Sequence, residues 1–450
     1  MIKNEINNQL QEFARSVSPT VKERGFVGNI YSAFQILLGE TNCLQIGSYA
    51  RFTAVTPMHD LDILYIIGEW NADWLKDSYS LQEVIDELKR SIQQTFKSPE
   101  GCSVVSIEKQ THSVSVTFKC DEQEFSVDVV PTYSHGTNEF GQSTYRVPEI
   151  LKKKHHGNRH EMYQSKALYA ENIGWIDSDP RGYISVATQV GENSDFRKAV
   201  KIAKFWKDKI KEIDEELKLK SFHVEQVLTH YFQKNPKGTA FDALFSFFVD
   251  FPNTILVADQ IADRINPDKF VDDYIAKMND PIRERLLQAR DGVLINLEKV
   301  DELSSIEEVF KSSFRKRMDM RETYLFDDWI PVLIEPEYSE FDISADITNK
   351  QGIFVRVLVR AGLIDSGRYL KFKRSLIERC EYKWKVKNDD NCDQPRGEIT
   401  DDHTLNVPEN TKYAGCHYVE CYVVRDGICI AKARHDVTIH GGGSRVRIRR

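Results

Sequence analysis

"GSYARFTAVTPMHDLDILYII", residues 47 to 67, sets two carboxylates, Asp60 and Asp62, at the mouth of a strongly apolar run. Leu61, Ile63, Leu64, Tyr65, Ile66 and Ile67 read as a buried strand. Taking a carboxylate out of water is costly unless something compensates its charge. Here that must be a pair of basic side chains or a metal ion. Residues two apart on a strand point the same way, so Asp60 and Asp62 share one face and Leu61 and Ile63 the other.

A third acid lies in a second strand-like run. Asp128 sits in Ser126-Val127-Asp128-Val129-Val130, flanked by apolar residues. If the two strands pair, three carboxylates meet on one sheet face, an arrangement that divalent cations make tolerable. Hard oxygen donors suit Mg²⁺. Just upstream, Leu44-Gln45-Ile46-Gly47-Ser48 reads as a strand end turning into a helix start. Gly47 would let a phosphate approach the backbone, and Ser48 offers a hydroxyl and an amide. A phosphate cradle beside a carboxylate-held metal pair is what phosphoryl or nucleotidyl transfer requires. Each piece alone has a bland reading: a common turn, a surface strand, a polar strand end. Their order, with apolar strand behind each acid, is what carries the signal.

The chain has 450 residues, 41% hydrophobic and 29% charged, and a net charge of -8. Such a composition is that of a globular protein of about three domains at roughly 150 residues each. The charge argues against a surface that coats nucleic acid throughout, although local basic patches remain open. No apolar run approaches the length of a membrane span. The polar start, MIKNEINNQL, has no apolar signal core, so a cytoplasmic setting without membrane partners is expected. There the eight cysteines are expected as reduced thiols. Five fall late, Cys380, Cys392, Cys416, Cys421 and Cys429, in no CxxC pair, and read as small buried hydrophobes rather than zinc ligands.

The character of the chain changes along its length. Residues 3 to 40 carry helical periodicity, with Ile6, Leu10, Phe13 and Ala14 spaced for one face. Residues 43 to 132 alternate in the strand manner, and two runs around Asp121-Glu122-Gln123 predict a hairpin. From 192 to 314 the pattern is helical again, with Ser194-Asp195 as N-cap candidates. A charged segment around 315 to 334 reads as a connector. After 335, short evenly spaced strands suggest a β-sandwich. "LKKKHHGNRH", residues 151 to 160, is a basic run, read as a solvated loop or as a guide for nucleotides or an activating nucleic acid. The tail holds three glycines and then Arg445, Arg447, Arg449 and Arg450, and is read as a flexible arm with local affinity for phosphate or as a merely disordered end.

"IGSYARFTAVTPMHDLDILYI" together with "SVDVVP" resembles the polymerase-β-like nucleotidyltransferases, and more narrowly the bacterial cGAS/DncV-like (CD-NTase, SMODS) enzymes. Gly47, Ser48, Asp60, Asp62 and Asp128 match that family's pattern position by position. "WIDSDPRGY", residues 175 to 183, looks like the segment joining the two lobes. "KIAKFWK" and "LKSFHVE" resemble its donor-nucleotide contacts. By that likeness Lys204, with Lys201 as a rival, meets triphosphate oxygens, Ser221 bonds a phosphate and Phe222 stacks on a base. An ordinary helix lysine and a core phenylalanine are the plain alternatives. Residues with "YKWKVKN" and "KYAGCHYVECYVVRDGICIAKA" resemble the AGS-C-type sensor domain carried by some of these enzymes. Trp384, Tyr413 and Tyr418 there are core or pocket lining, with no role assigned.

The resemblance implies an α+β chain: a polymerase-β-like nucleotidyltransferase sheet with its N-terminal helix over 1–190, a helical lobe over 191–315, an all-β sandwich-like sensor domain over 335–440, and a basic tail over 441–450. It implies two Mg²⁺ ions, or Mn²⁺ in their place, on Asp60, Asp62 and Asp128. ATP, with GTP or another NTP, would be joined into a cyclic oligonucleotide messenger that switches on a separate effector in antiphage (CBASS) signalling. The sensor's ligand is left unnamed. Two other readings stay open: nucleotidyl transfer onto protein or RNA, and a non-catalytic sensing module on a nucleotidyltransferase scaffold.

Overall fold

The computed structural model describes residues 3–71, 78–110, 112–121, 123–149, 174–311, 314–315, 322–359, 362–401 and 403–440. The first sheet holds β1 (Cys43–Ile46), β2 (Asp60–Glu69), β3 (Cys102–Lys109), β4 (Val114–Cys120), β5 (Gln123–Thr137), β6 (Ser143–Pro148) and β7 (Trp175–Ser178). Its order is β1-β2-β5-β4-β3, with β6 joining β5 to β7. All pairs are antiparallel except β2 with β5, which run parallel. The expected hairpin is β4–β5, registered from Val114 opposite Val129 to Cys120 opposite Gln123.

One face of this sheet is apolar because strand residues alternate. Leu61, Ile63, Val116, Phe118, Val127 and Val129 are buried there beneath α2 (Val21–Leu38) and α4 (Ser78–Thr95), while the single turn α3 (Gly47–Ala50) links β1 to β2. Each such side chain contributes about 1.5–3 kcal/mol by leaving water. Thr20 and Glu23 close a capping box at the start of α2. The Glu23 carboxylate also accepts from the Thr56 hydroxyl at 2.9 Å and the Met58 amide at 2.8 Å, pinning the segment that leads into Asp60. α4 corrects the sequence expectation, which ran strands through this stretch. Ile85, Leu88 and Ile92 recur at helical spacing and are buried against the sheet.

The second lobe is helical. α6 (Ser194–Ile213) and α7 (Ser221–Lys234) pack on α8 (Ala240–Val249) and α9 (Asp280–Glu298), with α5 (Pro180–Val190) leading in. Trp206 is fully buried, with Phe248 at 5.0 Å and Phe251 at 5.6 Å between ring centroids. α1 (Lys3–Ser16), assigned by sequence to the first lobe, buries its apolar stripe in this one. Phe13 meets Phe205 at 5.1 Å and Phe310 at 5.9 Å.

The C-terminal part is a sandwich. A five-stranded sheet has the order β10-β16-β15-β12-β13 and a four-stranded sheet β14-β11-β8-β9. Their strands are β8 (Ile343–Thr348), β9 (Phe354–Leu358), β10 (Gly362–Asp365), β11 (Tyr369–Arg374), β12 (Glu381–Lys387), β13 (Ile399–Asp401), β14 (Glu409–Asn410), β15 (Gly415–Arg425) and β16 (Ile428–His440). Trp384 is fully buried between the layers. The expected connector is packed rather than free: Leu325, Ile330 and Val332 share a core with Tyr422, Val424 and Cys429.

The cysteine expectation also needs correcting. Cys102 and Cys120 form a disulfide, their Cα atoms 4.2 Å apart. They stand directly opposite across β3 and β4, within bridging distance. Of the five late cysteines only Cys421 and Cys429 are buried, while Cys380 and Cys392 are half-buried and Cys416 is exposed. No helix among the described residues is long and apolar enough to cross a membrane. The basic run 151–160 and the tail 441–450 lie outside the described residues.

Candidate active site

The acidic residues occupy the sheet face opposite α2 and α4. Parallel pairing puts Asp62 directly across from Asp128, and Asp60 across from Ser126. Cross-strand partners point to the same side, as do residues two apart. Asp60, Asp62 and Asp128 therefore share one face, through strands that are far apart in sequence. Asp60 is exposed and Asp62 half-buried, so the face is open at its edge.

β1 brings the Gly-Ser turn alongside, with Ile46 opposite Asp62. Gly47 has φ +74°, a left-handed backbone that glycine adopts without strain. A Cβ at this position would fall 1.9 Å from Asp62 Oδ2. The second aspartate thus rests against the bare Cα of the turn, which explains glycine here. The Ser48 carbonyl accepts from the Thr53 amide at 2.9 Å, closing the turn.

Electrostatics make this face unfavourable without a cation. Burial first, then the charges of Asp60 and Asp128, push the Asp62 carboxyl up to about 7, with Arg51 opposing. Burial also raises Asp128, against a hydrogen bond from the Ser115 hydroxyl that lowers it. Asp128 Oδ1 is buried and makes no hydrogen bond. Among the described residues no three His, Cys, Asp or Glu side chains close around a point that an ion would occupy. The strand register aligns the acids without drawing their oxygens together. Oxygen donors that repel one another, one of them orphaned in the interior, are the donor chemistry that a divalent cation would neutralise.

The helical lobe reaches the turn through a buried charge cluster. Glu225 of α7 is fully buried and takes Arg51 Nε at 2.5 Å and Lys204 Nζ at 2.7 Å. The Thr53 hydroxyl donates to the same carboxylate at 2.8 Å, and Lys204 Nζ also donates to the Thr53 carbonyl at 3.1 Å. Against the cost of burial, Lys204 and Arg51 hold the Glu225 carboxyl down at about 2. Burial pulls Lys204 downward despite Glu225.

Lys204, expected at the triphosphate, is therefore 3% exposed and bonded to the turn's support. Its rival Lys201 donates to the Ser18 hydroxyl at 2.9 Å. Burial and then Arg197, Lys204 and Arg24 lower its amine to about 8. Ser221 accepts from Lys207 Nζ at 2.8 Å. Phe222 lies beneath the Arg51 guanidinium at 5.1 Å, its ring edge-on to Tyr183 at 4.9 Å. Sequence reasoning missed Arg51, Thr53, Lys207 and Glu225. One signal was available for Glu225: an acid three residues before Leu228 and seven before Phe232, on the helix stripe that both bury.

Residues 318–440 match the family model described as the Adenylyl/Guanylyl and SMODS C-terminal sensor domain. The sensor domain expected from sequence is thereby found, and it begins before residue 335, taking in the packed connector. No curated protein matches the chain. Among solved structures, the chain is similar to Escherichia coli MS115-1 CdnC with ATP, at 20% identity over 69% of this chain and 99% of that one, TM-score 0.45. It is similar to the Elizabethkingia meningoseptica CdnE cyclic dinucleotide synthase with GTP and Apcpp, at 17% identity over 55% and 85%, TM-score 0.38. A cytoplasmic RNA terminal U-transferase is similar at 11% identity over 69% and 99%, TM-score 0.40.

Proposed function

We propose that the chain is a metal-dependent nucleotidyltransferase that joins ATP, alone or with GTP or another NTP, into a cyclic oligonucleotide messenger. The observation that carries this reading is the parallel register of Asp62 with Asp128, beside a glycine turn whose Cα touches the Asp62 carboxylate. Asp60, Asp62 and Asp128 would hold Mg²⁺, which supplies Lewis-acid stabilisation of the attacking oxygen and the departing pyrophosphate.

The chain's own residues have separable tasks. Ser48 offers its hydroxyl and amide to the phosphates across the turn. Gly47 keeps the backbone low enough for them to approach. Asp128, with an unpartnered oxygen and a carboxyl raised by burial, accepts the proton of the ribose hydroxyl as it attacks the α-phosphorus. The P–O bond to pyrophosphate breaks as the new phosphodiester forms. The Glu225 cluster holds Arg51 and Thr53, and through them the turn. Phe222 offers a ring for a base, and Ser221 and Lys207 a hydroxyl and an amine for phosphate. The antiphage role, with a separate effector reading the messenger, follows from the sequence resemblance.

The test is incubation of the full chain with labelled ATP and mixed NTPs in Mg²⁺, read by mass spectrometry after phosphatase treatment. A phosphatase-resistant small product that disappears in Asp60→Asn/Asp62→Asn supports the proposal. Label carried on RNA or protein would show acceptor transfer instead. Signalling that survives the double variant would leave only a sensing scaffold.

A further inference from the structure

Asp179 stands where the catalytic sheet passes into the helical lobe, between the end of β7 and the start of α5. It is 3% exposed, and both of its oxygens are engaged. Oδ1 accepts from the Gly182 amide at 2.8 Å, capping α5. The same oxygen accepts from Asn138 Nδ2 at 2.9 Å, in the loop that joins β5 to β6. Oδ2 accepts from Arg264 Nε at 3.2 Å. Glycine at 182 is what admits this arrangement. A Cβ there would fall 2.0 Å from Asp179 Oδ2 and 2.7 Å from Arg264 Nε.

Arg264 comes from the other lobe. It lies between α8 and α9, in a segment whose Leu256 and Ile275 are buried in the helical core. Its guanidinium reaches back to the β5–β6 loop and pairs with Glu139. It lies over the Phe140 and Tyr183 rings, 5.6 Å from each centroid. Its backbone amide donates to the Tyr183 hydroxyl at 3.2 Å, and that hydroxyl donates to Asp263 at 3.1 Å. Side chain and backbone of this one residue therefore both hold Tyr183. Tyr183 in turn stands edge-on to Phe222 at 4.9 Å.

The Phe222 ring thus has two supports. Arg51 lies over it, fixed by the buried Glu225. Tyr183 meets it edge-on and is fixed through Arg264. A ring already held in place stacks on a base without first losing its own freedom. The phosphate side of the cleft depends on other groups: the Thr53 amide closes the Ser48 turn, and strand register aligns the acids. We infer that Arg264 is a positioning residue for the nucleobase. By tying Glu139 and Asp179 to Tyr183, it fixes the Phe222 ring against which the base of the bound nucleotide stacks. This inference rests on the reading of Phe222 as the base platform. It adds that the platform is set by a clasp between the lobes, which acts on the base and not on the phosphates.

The experiment is calorimetric titration of the full-length chain with adenosine 5′-(α,β-methylene)triphosphate in Mg²⁺. The P–C bond of this analogue prevents pyrophosphate from leaving, so binding is read without turnover. Inorganic tripolyphosphate in Mg²⁺ is the comparison, because it has no base. Arg264→Ala should weaken the analogue at least about tenfold and leave tripolyphosphate within about twofold. A merely structural role would weaken both alike. Glu139→Gln changes a side chain that is 60% exposed, so it guards against Arg264→Ala failing to fold. It should weaken the analogue about threefold. Phe222→Ala separates the two claims. If the parent does not bind the analogue, or Phe222→Ala binds it as the parent does, the platform reading falls and this inference falls with it. If Phe222→Ala weakens the analogue while Arg264→Ala and Glu139→Gln bind it as the parent does, the inference alone is overturned. An equal loss of tripolyphosphate overturns it too.

Discussion

At Gly47, backbone conformation and electrostatics meet in one residue. Its φ of +74° and its approach to Asp62 leave no room for a side chain. Gly47→Ala is expected to keep the fold, since α2 and α4 still cover the other face, while strain of about 1–3 kcal/mol displaces the turn or the carboxylate. Nucleotidyl transfer should fall by at least about tenfold, with a higher Mg²⁺ requirement in a metal titration. Asp62 gives a prediction of opposite sign for stability. An aspartate ionises near 3.8 in the unfolded chain, and here at about 7. Between those values the folded state holds the extra proton, so cation-free stability falls as pH rises from about 4 to about 7. Asp62→Asn removes that loss. In chelator at pH 8 it should melt a few degrees above the parent, at pH 4 level with it, and it should be inactive at either pH.

The elements are held in relation by contacts that local sequence does not announce. α6 and α7 reach β1 and β2 through Glu225, which neutralises Arg51 and Lys204 in a dry setting. Breaking a buried pair from one side leaves charge uncompensated and typically costs about 3–5 kcal/mol. Glu225→Ala strands two cations and should lower Tm strongly in thermal melts. Glu225→Gln keeps the volume and two hydrogen-bonding atoms and should lower it less. If the cluster were only a surface ornament, the two variants would melt alike. The element-level reading succeeded where periodicity was long and clean, as in α6 and in the β4–β5 hairpin. It failed at α4, which lies within a stretch otherwise rich in strands, and at the supposed connector, whose Leu325 and Phe326 look isolated in sequence but are fully buried.

Across the whole molecule, the helical lobe and the sensor domain meet at the end of α9. Lys432 of β16 donates to the Glu298 carbonyl at 2.9 Å and pairs with Asp301 at 2.9 Å and Glu302 at 3.1 Å. Glu298 Oε1 accepts from the Phe326 amide at 3.3 Å. Burial pushes the Glu298 carboxyl up to about 7, with Lys385 opposing. A glutamate raised from 4.5 to about 7 binds its proton more tightly folded than unfolded. The junction therefore loses stability as pH climbs through that window. Glu298→Gln should raise Tm at pH 8 by an amount that disappears near pH 4.5, in melts of the full chain. The expected gain is about 1–3 kcal/mol.

The order of residues along the chain was enough to mark the three acids, the turn beside them and most of the local elements. Alternation around Asp60, Asp62 and Asp128 shows which face each acid occupies, and Gly47-Ser48 marks a turn, because side-chain direction along a strand is a local property. It also pointed to Tyr413 and Tyr418 as wall or core without deciding between them. It took the packed fold to set β2 and β5 parallel in the register that aligns Asp62 with Asp128, to place α1 with the helical lobe, to bring Cys102 opposite Cys120, and to commit Lys204 to Glu225. Those outcomes depend on which distant surfaces exclude water together. Burial and charge compensation are summed over the folded whole, and residues more than a hundred positions apart enter that sum as neighbours.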